Sequence, residues 1–80
     1  MESQNTLIIY YDDTIGKEPL LESIEKYNAV ILYEYNNFNS VAIKIPEGTI
    51  IEDAITYFNG VEGVLLVNRD YINNVHYDLN

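Results

Sequence analysis

The spacing of hydrophobic and polar residues along the chain predicts four β-strands. Residues 6–11 are β-branched, leucine or tyrosine and stop at the acidic pair Asp12 and Asp13, which is typical of a strand end. Similar runs predict strands over residues 29–35, 40–45 and 63–68. The asparagines between the second and third runs tolerate left-handed backbone, so these two strands are predicted to form a hairpin.

Two segments have the spacing of amphipathic helices instead. Pro19 occupies a position favoured in a first helical turn, and a polar face lies opposite one apolar stripe. That stripe consists of Leu20, Leu21, Ile24 and Tyr27. Thr49 and Glu52 have the spacing of a capping box before a second apolar stripe, and Gly60 is expected to end this helix. The second stripe consists of Ile51, Ala54, Ile55 and Phe58.

The order strand, helix, strand, strand, helix, strand predicts an α+β, ferredoxin-like split βαβ fold. In this βαββαβ arrangement two helices cover one face of a four-stranded antiparallel sheet, and the other face is bare. Alternation places Ile8 and Tyr10 of the first strand away from its other apolar residues. In the second strand, it places Ile31, Tyr33 and Tyr35 on one face and Val30 and Leu32 on the other.

Both faces of this sheet are therefore expected to be apolar, and two interpretations are open. In the first, the rings of the eight tyrosines shield a thin sheet and leave their hydroxyls in water. In the second, Tyr10, Tyr33 and Tyr35 belong to a docking face for a protein partner, because tyrosine is enriched in interfaces and exposed apolar patches usually mark partners.

Composition narrows the function classes. Eighty residues predict one domain with a small core and little margin of stability. Thirteen acidic residues against four basic ones give a net charge of −9, which disfavours nucleic acid and anionic membranes as partners. The chain has no cysteine, so no disulfide, thiolate metal site or cysteine nucleophile is expected.

No constellation of residues points to catalysis, a metal or a cofactor. His76 is the single histidine and has no evident serine and acid partners. Adjacent acids such as Asp12 and Asp13, or Glu52 and Asp53, are ordinary at strand ends and in first helical turns. The loop after the first strand lacks the ligand spacing of a calcium site. We therefore expect a non-enzymatic chain.

The beginning of the chain bears on its location. The residue after Met1 is an acid, and no basic residue precedes the first apolar run. That run is too short for a secretory signal or a membrane span. With Met1 as the native start, the sequence predicts a chain that is not secreted.

Three segments carry a resemblance to a known family. These segments resemble the propeptide domain of subtilisin-type serine proteases, the I9 inhibitor family. They are the strand and exit "NSVAIKIPEG", the helix end and last strand "FNGVEGVLLVNRD", and the extended tail. The resemblance implies a domain that assists folding of its protease, packs its open sheet face on two protease helices and leaves its carboxyl terminus in the active-site cleft like a cleaved product.

Particular residues take roles by this resemblance. Residues 1–70 would form the inhibitor domain, and residues 71–80 a tail in the protease cleft. Asn68 and Asp70 match two positions that cap protease helices, with a neutral amide at Asn68 where an acid is common. The implied cleft residues are Tyr77, Asp78, Leu79 and Asn80, with Tyr77 in a large apolar pocket. The tail is longer than is usual in the family, so an earlier cleavage point near His76 is an alternative.

The resemblance thus implies an intramolecular chaperone and product-like inhibitor of a subtilisin-type protease, cleaved from the same precursor. Together with Met1 as the native start, it implies a location in the cytoplasm or in a spore. One alternative is a stand-alone inhibitor of the same type acting in trans. Another is a small ferredoxin-like regulatory module that pairs with itself through its bare face.

Overall fold

The computed structural model describes residues 5–69, which form a four-stranded antiparallel sheet with two α-helices. The elements in chain order are β1 (Thr6–Tyr11), α1 (Glu18–Lys26), β2 (Val30–Tyr35), β3 (Ser40–Lys44), α2 (Ile51–Asn59) and β4 (Val64–Arg69). The strand order β2-β3-β1-β4 puts β2 and β4 at the edges and confirms the predicted α+β, ferredoxin-like fold. Within the described range, no helix has the length and apolar character needed to span a membrane.

Both helices pack on the same face of the sheet. Alternate residues of β1 are buried, and they share one core with the apolar stripes of α1 and α2. Phe58 of α2 is the largest fully buried side chain and lies at 0% exposure. The core residues are Leu7, Ile9, Tyr11, Leu20, Ile24, Val41, Ile43, Ile45, Ala54, Phe58 and Val67. The prediction that the helices cover one face is confirmed.

Helix α1 ends in a left-handed residue. Asn28 has φ 64°, a conformation that asparagine tolerates better than most residues. Its backbone N–H donates to the carbonyl of Glu25 at 3.0 Å, and the N–H of Ala29 donates to the carbonyl of Ile24 at 3.0 Å. These two bonds form a Schellman motif, which satisfies carbonyls that the helix end would leave unpaired and turns the chain into β2.

The predicted capping box of α2 is wrong. The N-cap of this helix is Ile50, one residue later than predicted, and it makes no side-chain capping bond. Thr49 instead belongs to a turn in which its N–H donates to the carbonyl of Pro46 at 3.2 Å. Glu52 therefore lies in the first turn with its carboxylate free to pair with Arg69. Gly60 does end the helix, as predicted.

The predicted hairpin is confirmed. Strands β2 and β3 are antiparallel, and a short 3-10 helix at Asn36–Phe38 connects them. Asn39 then has φ 50° and ψ 51°, the left-handed conformation expected of an asparagine in this connection. Its carbonyl accepts a 2.9 Å bond from the N–H of Tyr11, which ties the end of the hairpin to the central strand.

Candidate docking face

The strands also have a side that points away from the helices, here named the open face. Residues directly opposite each other in an antiparallel pair point to the same side. Exposed Lys44 lies opposite Thr6 of β1 and Val30 of β2, whereas its neighbour Ile43 is buried in the core. The open face consists of Thr6, Ile8, Tyr10, Val30, Tyr33, Tyr35, Ser40, Ala42, Lys44, Leu66 and Asn68.

The three tyrosines singled out from the sequence all lie on the open face. Tyr10 and Tyr35 are both opposite Ser40, one from each side of β3. Tyr33 packs edge-to-face on Tyr35 with ring centroids 4.6 Å apart, and it remains 59% exposed. These rings provide the kind of contact area that aromatic residues supply in interfaces, and their docking role stays a prediction.

The predicted alternation of β2 is wrong for Val30 and Ile31, the two residues before Leu32. A register shift lies between Ile31 and Tyr33, so Ile31 is opposite Ile43 while Tyr33 is opposite Ala42. Ile31 therefore points to the helix side, and Val30 joins the tyrosines on the open face. The physical reason is a β-bulge at Leu32, an extra residue that changes which side of the sheet the following residues face.

Small residues on β3 make a groove in the open face. Ser40 and Ala42 are 3% and 4% exposed, because larger side chains of β1 and β2 flank them. At the hairpin end the groove widens into a depression of about 340 Å³. The residues that line this depression are Ile8, Tyr10, Tyr35, Phe38 and Ser40. It has the shape to receive an apolar side chain from a partner.

Phe38 borders the open face at its hairpin end, and sequence reasoning missed it. It lies in the connection between β2 and β3 and is 70% exposed. Its ring lines the depression beside Tyr35. The available signal was a large aromatic residue inside the otherwise polar stretch "NNFN", where a turn alone gives no reason for a phenylalanine.

The open face differs in charge from the rest of the domain. Lys44 is the one charged residue among its positions in the described part of the chain. The helices, by contrast, carry many of the acids that give the chain its negative charge. These helical acids are Glu18, Glu22, Glu25, Glu52 and Asp53. A partner on the open face would therefore be held mainly by apolar contact.

Of the two residues predicted to cap protease helices, Asn68 lies in the described part of the chain and Asp70 does not. Asn68 lies opposite Ile8, so its exposed amide is on the open face, where the resemblance would place it. Asp70 falls outside the described residues. So do the predicted cleft residues Tyr77, Asp78, Leu79 and Asn80, together with His76. Their assigned roles stay predictions.

Asp12, the first of the two acids after β1, has a local structural role. The carboxylate of Asp12 accepts bonds from the N–H of Thr14 at 2.9 Å and from its hydroxyl at 2.6 Å. These bonds hold the pKa of Asp12 below its usual value, chiefly through the hydroxyl. Asp12 thus stabilises the turn that follows β1. Among residues 5–69, no three acidic or histidine side chains gather into a metal-binding group.

Two features of the chain bear on its function: the open face, and the sequence of its last strand and tail. No family model matches the chain, and no curated protein or solved structure is significantly similar to it. The ferredoxin-like arrangement by itself does not select a function, since this architecture carries many.

Proposed function

We propose that this chain is a non-catalytic domain that docks through its open face on a subtilisin-type serine protease. In this role it serves as an intramolecular chaperone and as a product-like inhibitor. The observation that carries the proposal is an open face that combines exposed apolar side chains, a groove and a single charge at its described positions. The choice of protease comes from the resemblance of the last strand and tail to the I9 inhibitor family.

Apolar exposure on the open face supports docking. Val30 is 58% exposed, Tyr33 59% and Leu66 49%. Val30 and Tyr33 lie on edge strand β2, and Leu66 lies on β4 at the opposite edge of the sheet. Fully burying a side chain of this size contributes roughly 1.5 to 3 kcal/mol. A partner that covers the face would therefore gain affinity from area that the isolated domain leaves in water.

The chaperone role follows from the same contacts by linkage. A surface that binds only when both proteins are folded stabilises the folded form of each. An 80-residue domain has a small core, so its own folding would also benefit from the partner. The folding of a protease and the folding of this domain would thus promote each other.

The inhibitor role assigns the tail to the protease cleft. An extended segment that adds a strand to a cleft gains affinity from backbone hydrogen bonds and specificity from alternate side chains. Under this proposal the cleft residues are Tyr77, Asp78, Leu79 and Asn80, with Tyr77 in an apolar pocket. The tail and the open face then bind as two linked sites on one protease.

A matched pair of substitutions tests docking. Tyr33 on the open face and Ile50 before α2 are exposed to 59% and 61%, so they differ in location rather than in exposure. We expect Tyr33→Ser to weaken binding of the full chain to a purified bacterial subtilisin at least tenfold, whereas Ile50→Ser leaves it unchanged. Calorimetric titration against both variants measures this.

Three outcomes would count against the proposal. Equal affinities for both variants would remove the open face from the interface. No binding by the wild-type chain would remove the protease as partner. A stable homodimer in gel filtration that Tyr33→Ser dissociates would favour the self-pairing module, in which a second copy covers the open face.

A further inference from the structure

The last residue of β4 is held from two directions. Its backbone is in register with Leu7 of β1, and because Leu7 is a core residue, Arg69 points to the helix side. There its guanidinium forms an ion pair with the carboxylate of Glu52, in the first turn of α2. The preceding residue, Asn68, points to the open face instead. The strand therefore presents one residue to a partner and uses the next to attach itself to a helix.

We propose that Arg69 and Glu52 are positioning residues that set the direction in which the chain leaves β4. The inference rests on the proposed function, because it assigns the following segment to a protease cleft. A strand end held only by its ladder hydrogen bonds frays readily. Attachment to α2 restricts the orientations of the exit, and so raises the effective concentration of the tail at a cleft beside the open face.

The position of Glu52 in the first turn of α2 suits it to this role. The carboxylate lies where the amino-terminal end of the helix dipole favours negative charge. Its backbone carbonyl accepts a 3.0 Å bond from the hydroxyl of Thr56, one turn later. Both side chains of the ion pair remain partly exposed, so the pair is expected to add little to the stability of the fold. Its effect should be on the tail.

The test compares Glu52→Gln with Asp53→Asn, which removes the neighbouring carboxylate of the same helical turn. Each full-length chain is measured in two ways against purified bacterial subtilisin. The inhibition constant with active protease depends on the tail entering the cleft. Affinity for protease whose cleft is filled by a covalent peptidyl chloromethyl ketone reports docking through the open face alone.

We expect Glu52→Gln to raise the inhibition constant about threefold to fivefold, the upper range for an exposed ion pair, and to leave affinity for the blocked protease unchanged. Asp53→Asn should change neither. Unchanged inhibition by Glu52→Gln would overturn the positioning role while leaving the proposed function intact. An equal loss in both measurements would make the ion pair a support of the fold instead. A wild-type chain that binds neither protease form would overturn both proposals.

Discussion

The two faces of this sheet are built from the same strands but differ in their exposure to water. On the helix side, alternate residues are buried in one core that α1 and α2 complete. On the open face, the corresponding positions are apolar as well, yet several of them are exposed. The chain's two phenylalanines illustrate the difference, because Phe58 is fully buried and Phe38 is 70% exposed. Hydrophobic content alone therefore does not say which face is the core.

The difference between the faces lies in what covers them. The helix side is closed by segments of the same chain, and its charges lie outside the core on the helices. The open face has comparable apolar side chains but, among residues 5–69, no helix that covers them. An apolar surface without a cover has a cost in water that a partner can remove. The uncovered apolar side chains of the open face thus favour binding of a protein partner.

The two phenylalanines give the largest expected effect. Phe58→Ala should destabilise the domain by about 3 to 5 kcal/mol, since it leaves a cavity in the core. Phe38→Ala should change stability by no more than about 0.5 kcal/mol, because its ring is mostly in water. Urea denaturation of both variants measures the contrast. Similar losses for the two would show that the open face contributes to folding as the core does.

Partner binding should make the stability of the domain depend on the open face as well as on the core. At a protease concentration of 100 times the dissociation constant, the wild-type chain should gain about 2.7 kcal/mol of stability. Phe38→Ala, with its intact core, should gain less, because the depression in the open face loses one wall. Thermal melts with and without purified subtilisin provide the measurement. A wild-type chain that melts cooperatively at high temperature, unchanged by protease, would contradict the chaperone role.

Hydrophobic periodicity was sufficient to predict the elements of this fold. All four strands and both helices occur where it placed them, with strand ends shifted by at most one residue at positions such as Ala29, Ile45 and Gly63. These shifts are small because each run ends at a residue that changes the local pattern. The order of the elements then selected one topology among few, because short connections constrain how such elements assemble.

Features that depend on distant contacts were not predictable in the same way. Glu52 has capping-box spacing, but its carboxylate pairs with Arg69, which is far away in sequence. The bulge at Leu32 could not be recognised in the sequence. Apolar residues occur at both odd and even positions of β2, so a one-residue shift does not change the hydrophobic pattern. The docking roles proposed for Asn68 and the tail depend on a partner, whose surface is not encoded in local spacing.

The two faces differ in how their lysines are used, and this gives the smallest expected effect. The ammonium of Lys17 donates to the carboxylate of Glu34 at 2.6 Å and joins the start of α1 to edge strand β2, whereas Lys44 lies on the open face. The bond to Glu34 raises the pKa of Lys17 above its usual 10.5. Because the folded state favours the protonated form, the contribution of Lys17 to stability is complete below pH 10.5 and is lost as the pH rises through the raised pKa.

Lys17→Met should therefore lower the urea midpoint slightly at neutral pH, and the difference from wild type should shrink in strong alkali. Lys44→Met is the matched control, and we expect it to leave the midpoint unchanged at neutral pH. An equal shift for both lysines, or a Lys17 effect that persists at high pH, would show that the contact with Glu34 does not distinguish the helix side from the open face.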